Sequence, residues 1–196
     1  MGYDGVAPEK REKIVDTLVE IAKQTMVVGA VAAIETGTYE AETQRQPQIR
    51  RVVGSAYSLC AMRCAQYMAA WLDRNVLPGR IKYFFEAGNE REGEARHFLL
   101  QIERNRELKQ RYRMDEYSFV PKPDAPQLQA ADLLAWEWQR NHETAMNPDK
   151  SRHEWRLTLK SLCERPHYAE FLAETRTGIL AMVNLFYGLK SNRFSP

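Results

Sequence analysis

The hydrophobic and polar positions at the start of the chain predict a helix, a buried strand and a loop. The helix begins near Pro8, because proline is tolerated in a first helical turn and the apolar residues after it recur at helical spacing: Ile14, Leu18, Ile21 and Ala22. Residues 26–34 then run apolar without alternation, which is typical of a strand covered on both faces. Residues 35–48 are polar and contain a glycine and a proline, so we expect a loop with one helical turn there.

The middle of the chain divides into helices and short strands. Apolar positions at helical spacing predict helices over residues 50–72 and 93–112. Two short aromatic segments, residues 80–86 and 117–120, predict strands. A further helix is expected to begin at residues 124–126, and the chain from residue 151 onward is expected to be helical.

Helices and strands therefore alternate, which implies crossover connections and a parallel sheet. The predicted fold class is α/β, with a small, mainly parallel sheet of about three strands flanked by helices and a helical C-terminal tail. We assign residues 1–146 to the α/β domain and residues 147–196 to a helical extension packed on it. Ligands of such sheets bind at the carboxyl ends of the strands, which directs attention to Glu35, Glu86 and the residues after Val120.

Composition restricts the class of protein further. With 196 residues, of which 44% are hydrophobic and 28% are charged, the chain is typical of one globular domain. No apolar run reaches the roughly 18 residues of a membrane span, and no secretory signal begins the chain. The three cysteines, Cys60, Cys64 and Cys163, include no Cys-x-x-Cys pair, which argues against a structural zinc module. Reduced thiols predict a cytoplasmic protein.

Charge is nearly balanced, with 28 basic and 26 acidic residues and a formal net charge of +2. This balance permits nucleic-acid binding without arguing for it, because a nucleic-acid interface is a clustered basic patch. The predicted helix over residues 93–112 carries both signs, which is typical of a solvated helix. Its C-terminal half is the more basic, and Arg106, Lys109 and Arg111 are the candidates there for contact with nucleic acid.

Two carboxylates are the candidates for chemistry. Glu86 ends a predicted strand, where an acid is well placed to hold a divalent metal ion or simply marks where the chain reaches water. Asp132 lies in an otherwise apolar helix start, where a carboxylate needs a polar partner. The helix dipole also favours early carboxylates, and Asp132 shares its helix face with polar residues. Asn89 is a lesser candidate, since asparagine is common in turns.

The segment of residues 126–135, Pro-Gln-Leu-Gln-Ala-Ala-Asp-Leu-Leu-Ala, resembles the terminal motif of a large bacterial family, the domain of unknown function numbered 3800. That motif reads roughly Leu-Gln-x-Ala-Asp-Leu-Leu-Ala. The strands at residues 83–86 and 117–122 are similar to the same family in order and spacing. The resemblance covers residues 1–145, and residues 129–135 are its specific part.

The resemblance implies a ribonuclease H-like fold, with acidic residues on a central strand, on a later strand and at the start of a final helix. Such acids hold one or two Mg²⁺ or Mn²⁺ ions for phosphodiester cleavage. Glu86 and Asp132 match the later-strand and final-helix positions, so the resemblance assigns them as catalytic and metal-binding residues. Asn89 and Gln129 would support them by orienting ligand or water.

The sequence departs from the family at its start. The family opens with a strand ending in Asp-Glu-Ser-Gly or Asp-Asp-Ser-Gly, and this sequence has no such segment. The α/β domain of residues 1–146 is therefore expected to be truncated, with its central strand and first metal ligand missing or supplied by another chain. Two hypotheses follow. The chain is a metal-dependent nuclease-like protein acting on nucleic acid, or a non-catalytic binding or structural subunit that works through self-association or a partner chain.

Overall fold

The computed structural model describes residues 7–145, 157–163, 168–173 and 175–187, which are mixed α/β and mostly helical. The helices are α1 (Pro8–Thr25), α2 (Thr36–Arg45), α3 (Pro47–Val53), α4 (Ala56–Arg74), α5 (Glu92–Arg104), α6 (Arg106–Arg111), α7 (Pro126–Ala145), α8 (Leu157–Cys163) and α9 (Arg176–Tyr187). The strands are β1 (Gly29–Ile34), β2 (Ile81–Glu86), β3 (Met114–Val120) and β4 (Tyr168–Ala173). None of the helices described is both long and apolar enough to cross a membrane.

The chain divides into two compact units. The first unit comprises Met1–Gly29 with Pro126–Tyr168, and the second comprises Ala30–Ala125 with Ala169–Pro196. In the first unit α8 packs against α1 and α7. The hydrophobic residues buried there are Val19, Ala22, Leu134, Trp138, Leu159 and Leu162. The domain boundary predicted at residues 146 and 147 lies outside the described residues and stays a prediction.

The second unit contains an extensive hydrophobic core, the β2–β3 sheet, and all but the first residue of β1 and of β4. Its largest fully buried side chains come from α2 to α5, from the residue that follows α6, and from β3 and α9: Tyr39, Ile49, Leu59, Met62, Phe98, Leu99, Ile102, Tyr112, Met114 and Ile179. Strand β1 pairs with β4, and β2 pairs with β3. Burial of this apolar surface at about 25 cal/mol per Å² is the main favourable contribution to folding of the unit.

Strands β2 and β3 run parallel, as the alternation of elements predicts. Ile81 lies opposite Met114 and Glu86 opposite Val120, with an irregularity in the register between Ile81 and Tyr83. Parallel strands need a crossover connection, which α5 and α6 provide. The prediction of a small parallel sheet flanked by helices is confirmed here, whereas the ribonuclease H-like topology stays a prediction.

The loop predicted over residues 35–48 is wrong, because this segment forms α2 and the start of α3. The local signal that favours a helix here is the N-cap residue Glu35. The side chain of Glu35 accepts hydrogen bonds from the backbone N–H groups of Gly37, at 2.9 Å, and Thr38, which supplies partners for the first turn. Proline at the start of α3 is compatible with a new helix rather than a loop.

Two long predicted helices are each divided in the structure. Gly54 separates α3 from α4, with a φ of 86° that L-residues rarely adopt, and Ser55 then caps α4. Asn105 separates α5 from α6, and its side-chain Oδ1 accepts from the backbone N–H groups of Glu107 and Leu108. A capping side chain can therefore end one helix and begin the next, even where the apolar residues keep helical spacing throughout the segment.

The C-terminal tail is helical in part. Helices α8 and α9 agree with the prediction of a helical tail that is interrupted at Pro166, but residues 168–173 form β4, so the prediction is wrong for that segment. Strand β4 pairs with β1, which is distant in sequence. Strand formation depends on such tertiary partners more than on local propensity, and a local period does not contain that information.

Candidate functional site

Glu86 is the last residue of β2 and lies at the carboxyl end of the parallel strand pair. Its side chain is partly buried. The chain leaves the strand through Gly88, whose φ of 77° permits an abrupt turn. The turn leads directly into α5, so the first turn of that helix lies next in sequence to the strand end. This agrees with the predicted position of Glu86 at a strand terminus.

Asn89 is exposed and belongs to this turn. Its Oδ1 accepts a hydrogen bond from the backbone N–H of Arg91 at 2.8 Å, which is the local pattern of an Asx turn. The N–H of Gly88 donates to Oε2 of Glu92 at 2.8 Å, and Oε1 of Glu92 pairs with Arg96 at 2.6 Å. These contacts explain Asn89 as a turn residue, and its supporting role toward Glu86 stays a prediction.

Glu94 is a second carboxylate at this end of β2, and the sequence did not single it out. Burial raises the pKa of Tyr57, and the negative charges of Glu86 and Glu94 raise it further. Both carboxylates therefore act on the same tyrosine ring. Oε1 of Glu94 accepts from Nη1 of Arg91 at 3.1 Å, whereas its Oε2 is buried without a hydrogen-bond partner among the described residues. In the sequence Glu94 resembles any acid in a first helical turn.

Asp132 and Gln129 lie on α7, in the first unit, and both are partly buried. Further along the same helix face Trp136 is 46% exposed, and Gln139 donates to Glu143 at 3.0 Å. Asp132, Gln139 and Glu143 therefore make this face largely polar, as its spacing predicts. Glu86 belongs to the second unit, so its pairing with Asp132 stays a prediction.

A metal centre is not assembled by the described residues. No group of three or more His, Cys, Asp or Glu side chains among them is arranged to hold a metal ion. The predicted ligands Glu86 and Asp132 have the oxygen chemistry that Mg²⁺ and Mn²⁺ require, but they belong to different units. The Mg²⁺ or Mn²⁺ site therefore stays a prediction.

Cationic side chains line two neighbouring clefts in the second unit. We call the first, of about 340 Å³, the basic cleft; it is lined by Gly79, Arg80, Arg106, Lys109, Gln110 and Arg113. We call the second, of about 480 Å³, the tyrosine cleft; it is lined by Arg63, Gln66, Tyr67, Ala70, Asp73, Arg74 and Arg111. Two of the predicted nucleic-acid contacts, Arg106 and Lys109, thus lie in one cleft, and Arg111 lies in the other. The sequence missed Arg80 and Arg113, because only the parallel strand pairing brings them together.

No family model, curated protein or solved structure matches this chain. The resemblance to the family numbered 3800 therefore stays a prediction.

Proposed function

We propose that this chain is a metal-dependent nuclease-like protein of ribonuclease H-like fold that acts on the phosphodiester backbone of nucleic acid. The proposal is supported above all by Glu86, a partly buried acid at the carboxyl end of a parallel strand pair. That edge is where α/β sheets bind their ligands. Asp132, on the second turn of α7, is the second acid of the proposal.

Glu86 and Asp132 are the residues that would hold Mg²⁺ or Mn²⁺, because hard cations prefer carboxylate oxygens. Such an ion supplies a nucleophilic water and stabilises negative charge on the phosphoryl oxygens. The chain itself fixes the carboxylates: Glu86 through the strand end and Asp132 through the helix. Asn89 and Gln129 carry side-chain amides that can donate to and accept from water or substrate, which is the supporting role we assign to them.

Glu94 extends this proposal. Its Oε2 is buried without a hydrogen-bond partner among the described residues, and its charge acts on Tyr57 together with that of Glu86. A buried carboxylate oxygen without a partner is unfavourable by roughly 1–3 kcal/mol. A water molecule or cation beside Glu86 would satisfy it, so we assign Glu94 as a positioning residue for the Glu86 end of the site.

A cleavage assay tests the proposed function. Labelled single-stranded DNA, duplex DNA and RNA are incubated with the protein and Mn²⁺, with EDTA as the metal-free reference. We expect cleavage that requires metal and falls at least a hundredfold in Glu86→Gln and in Asp132→Asn, because each loses one anionic ligand. Glu90→Gln is the matched control for the strand end, since Glu90 is 83% exposed. Glu143→Gln is the control for the exposed face of α7.

Undiminished cleavage in Glu86→Gln or Asp132→Asn would contradict the assignment of that residue. Binding of Mn²⁺, measured by calorimetry, gives a readout independent of turnover. We expect the wild-type protein and Glu90→Gln to bind Mn²⁺ equally, and Glu86→Gln to bind it more weakly. Absence of both cleavage and Mn²⁺ binding in the wild-type protein would overturn the nuclease proposal.

The second candidate function is a non-catalytic binding or structural subunit that acts through self-association or a partner chain. The open edge of the β2–β3 sheet favours this candidate, because among the described residues β2 pairs with β3 alone. An unpaired strand edge is a template for an added strand from another chain. Phe84 in β2 is also 42% exposed, which leaves apolar surface beside this edge.

Size-exclusion chromatography with light scattering tests the second candidate. If β2 associates with a second copy, the mass should rise with concentration, and Phe84→Lys should shift the equilibrium toward the monomer. Val76→Lys is the matched control, because Val76 is 85% exposed outside the strands. A monomer at every concentration would exclude self-association through this edge.

A further inference from the structure

The basic cleft lies at the amino end of β2 and β3, where the proposed acidic site makes no use of it. Arg80 precedes β2 and Arg113 precedes β3, and because the strands are parallel both residues stand at the same end. The backbone N–H of Ile81 donates to the carbonyl of Arg113 at 2.7 Å, which fixes the two strand starts together. Arg106 and Lys109 line the same cleft from α6.

Arg113 is a cation fixed in position. Its Nε lies 2.8 Å from Oδ1 of Asp73, and its Nη1 donates to the carbonyl of Leu77 at 2.6 Å and to that of Gly79 at 3.4 Å. Its backbone adopts a φ of 48°, a conformation that is uncommon for any residue other than glycine. These contacts hold the guanidinium in one position, so it is already in place at the basic cleft before a ligand binds.

Three other cations of the basic cleft lack the carboxylate partner that several surface cations of this unit have. Arg50 pairs with Glu40 at 2.5 Å and Arg96 pairs with Glu92 at 2.6 Å. Arg80, Arg106 and Lys109 have no such carboxylate partner in the part of the chain that the structure describes, and no carboxylate lines the cleft. Arg113 is already paired with Asp73, which leaves three cations of the cleft without a counter-ion. These three like charges repel one another, and a bound anion relieves that repulsion.

The tyrosine cleft continues the cationic surface. Asp73 lines it and also pairs with Arg113 of the basic cleft, so the two clefts adjoin at this ion pair. Arg111 and Arg74 bring further positive charge, and the guanidinium of Arg74 lies 5.4 Å from the centre of the Tyr67 ring. A single anion would fill one cleft, whereas adjoining cationic clefts fit a chain of phosphates.

We propose that the basic cleft and the tyrosine cleft together bind the phosphate backbone of single-stranded nucleic acid. Cations that follow a backbone, with an aromatic ring beside them for a base to stack on, are the recurring elements of single-strand sites. This inference goes beyond the proposed cleavage, because it needs neither metal nor Glu86. β2 has 6 residues, so at ~3.3 Å per residue the clefts and Glu86 lie at opposite ends of a strand roughly 20 Å long.

Fluorescence anisotropy tests the inference with a labelled 20-nucleotide oligo-dT in EDTA, so that cleavage and metal play no part. We expect Arg106→Glu/Lys109→Glu to weaken binding at least tenfold at low salt, and to flatten the slope of log affinity against log salt by about 1.4, which is roughly 0.7 per lost phosphate contact. The matched control is Arg51→Glu/Arg104→Glu, which makes the same charge change at exposed residues outside both clefts. It should bind within about threefold of the wild type. Circular dichroism and urea unfolding verify that each variant is folded.

Equal binding by the two charge-reversed variants would overturn the proposal, because net charge alone would then explain the affinity. Displacement of the oligonucleotide by inorganic phosphate at an equal concentration of phosphate groups would also overturn it, since the clefts would hold single anions. Tighter binding of a duplex of the same length would overturn the single-strand assignment. Loss of affinity of about fivefold or more in Tyr67→Leu supports it, since the substitution removes the ring on which a base would stack.

Discussion

At the scale of single residues, Glu42 is a costly charge to place, since its side chain is 1% exposed. Its Oε1 accepts from Nε2 of Gln46 at 2.7 Å, and its Oε2 lies 2.9 Å from Nε of Arg176 and 3.8 Å from Nη1 of Arg45. The contact with Arg176 is an ion pair without hydrogen-bond alignment. A buried carboxylate is tolerable only with such compensation, and here it connects α2 to α9.

Removal of this charge should therefore destabilise the fold. We expect Glu42→Gln to lower the free energy of unfolding by about 1–3 kcal/mol, because Arg176 loses its counter-ion. The loss is limited to this range because Arg176 stays partly exposed to water. Glu40→Gln, which removes the exposed ion pair with Arg50, should change it by less than about 1 kcal/mol. Urea unfolding measures both, and equal effects would mean that burial of Glu42 has no energetic consequence.

The thiols of Cys60 and Cys64 should make stability depend on pH. Burial raises the pKa of Cys60 to about 12 and that of Cys64 to about 11. In the unfolded chain a thiol ionises near pH ~8.5. The raised native pKa means that stability is fully present below pH ~8.5 and is lost as pH rises toward the folded pKa values, because only the unfolded state releases its protons there.

The loss should amount to about 1.4 kcal/mol per pH unit for each thiol between its unfolded and folded pKa. Urea unfolding at pH 8 and pH 10 measures it in the wild type and in Cys60→Ala/Cys64→Ala. The variant should lose less stability over this interval, whatever its stability at pH 8. If the free energy of unfolding fell equally between pH 8 and pH 10 in the two proteins, these thiols would not be responsible for the loss of stability at alkaline pH.

At the scale of elements, the junction between α3 and α4 depends on Gly54. Its φ is 86° and ψ −107°, and its carbonyl accepts from the hydroxyl of Tyr39, a fully buried side chain, at 2.9 Å. A Cβ there would lie 3.4 Å from Oγ of Ser58, so backbone strain rather than a clash is the main cost. We expect Gly54→Ala to lower the free energy of unfolding by about 1–3 kcal/mol.

Gly93 offers a matched control for this substitution. It lies in the first turn of α5, where an added Cβ meets nothing within 4 Å. Gly93→Ala should raise the free energy of unfolding by about 0.4–1 kcal/mol, because alanine reduces the freedom of the unfolded chain. Thermal unfolding of the two variants should therefore shift in opposite directions, and a shift in the same direction would refute the argument from backbone conformation.

The same elements explain how far the sequence could be interpreted. Helices α1 and α7 have sustained apolar periods and were predictable from them. The segment of α2 was not, since its buried face includes Glu42 and Thr43, which are polar and do not extend an apolar period. Strand β4 depends on a distant strand. Glu86 could be found at its strand end, but Arg80 and Arg113 converge only through parallel pairing.

At the scale of the whole molecule, the β2–β3 pair separates two kinds of charge. An acid ends the pair at Glu86, whereas Arg80 and Arg113 precede its two strands. A nucleic-acid strand held at one end could reach the other only by extending along the unit. Different residues should therefore be responsible for binding and for cleavage, and steady-state kinetics can distinguish the two effects.

We expect Glu86→Gln to bind oligo-dT in EDTA as tightly as the wild type, because it leaves the clefts unchanged, while losing Mn²⁺-dependent cleavage. Arg106→Glu/Lys109→Glu should behave in the opposite way: its KM for cleavage should rise about tenfold with little change in kcat, since uniform binding contributes to KM alone. Steady-state kinetics on a labelled strand measure both parameters. A fall in kcat for the cleft variant, at unchanged KM, would instead place those cations in contact with the reacting phosphate, and the two ends of the strand pair would not be independent.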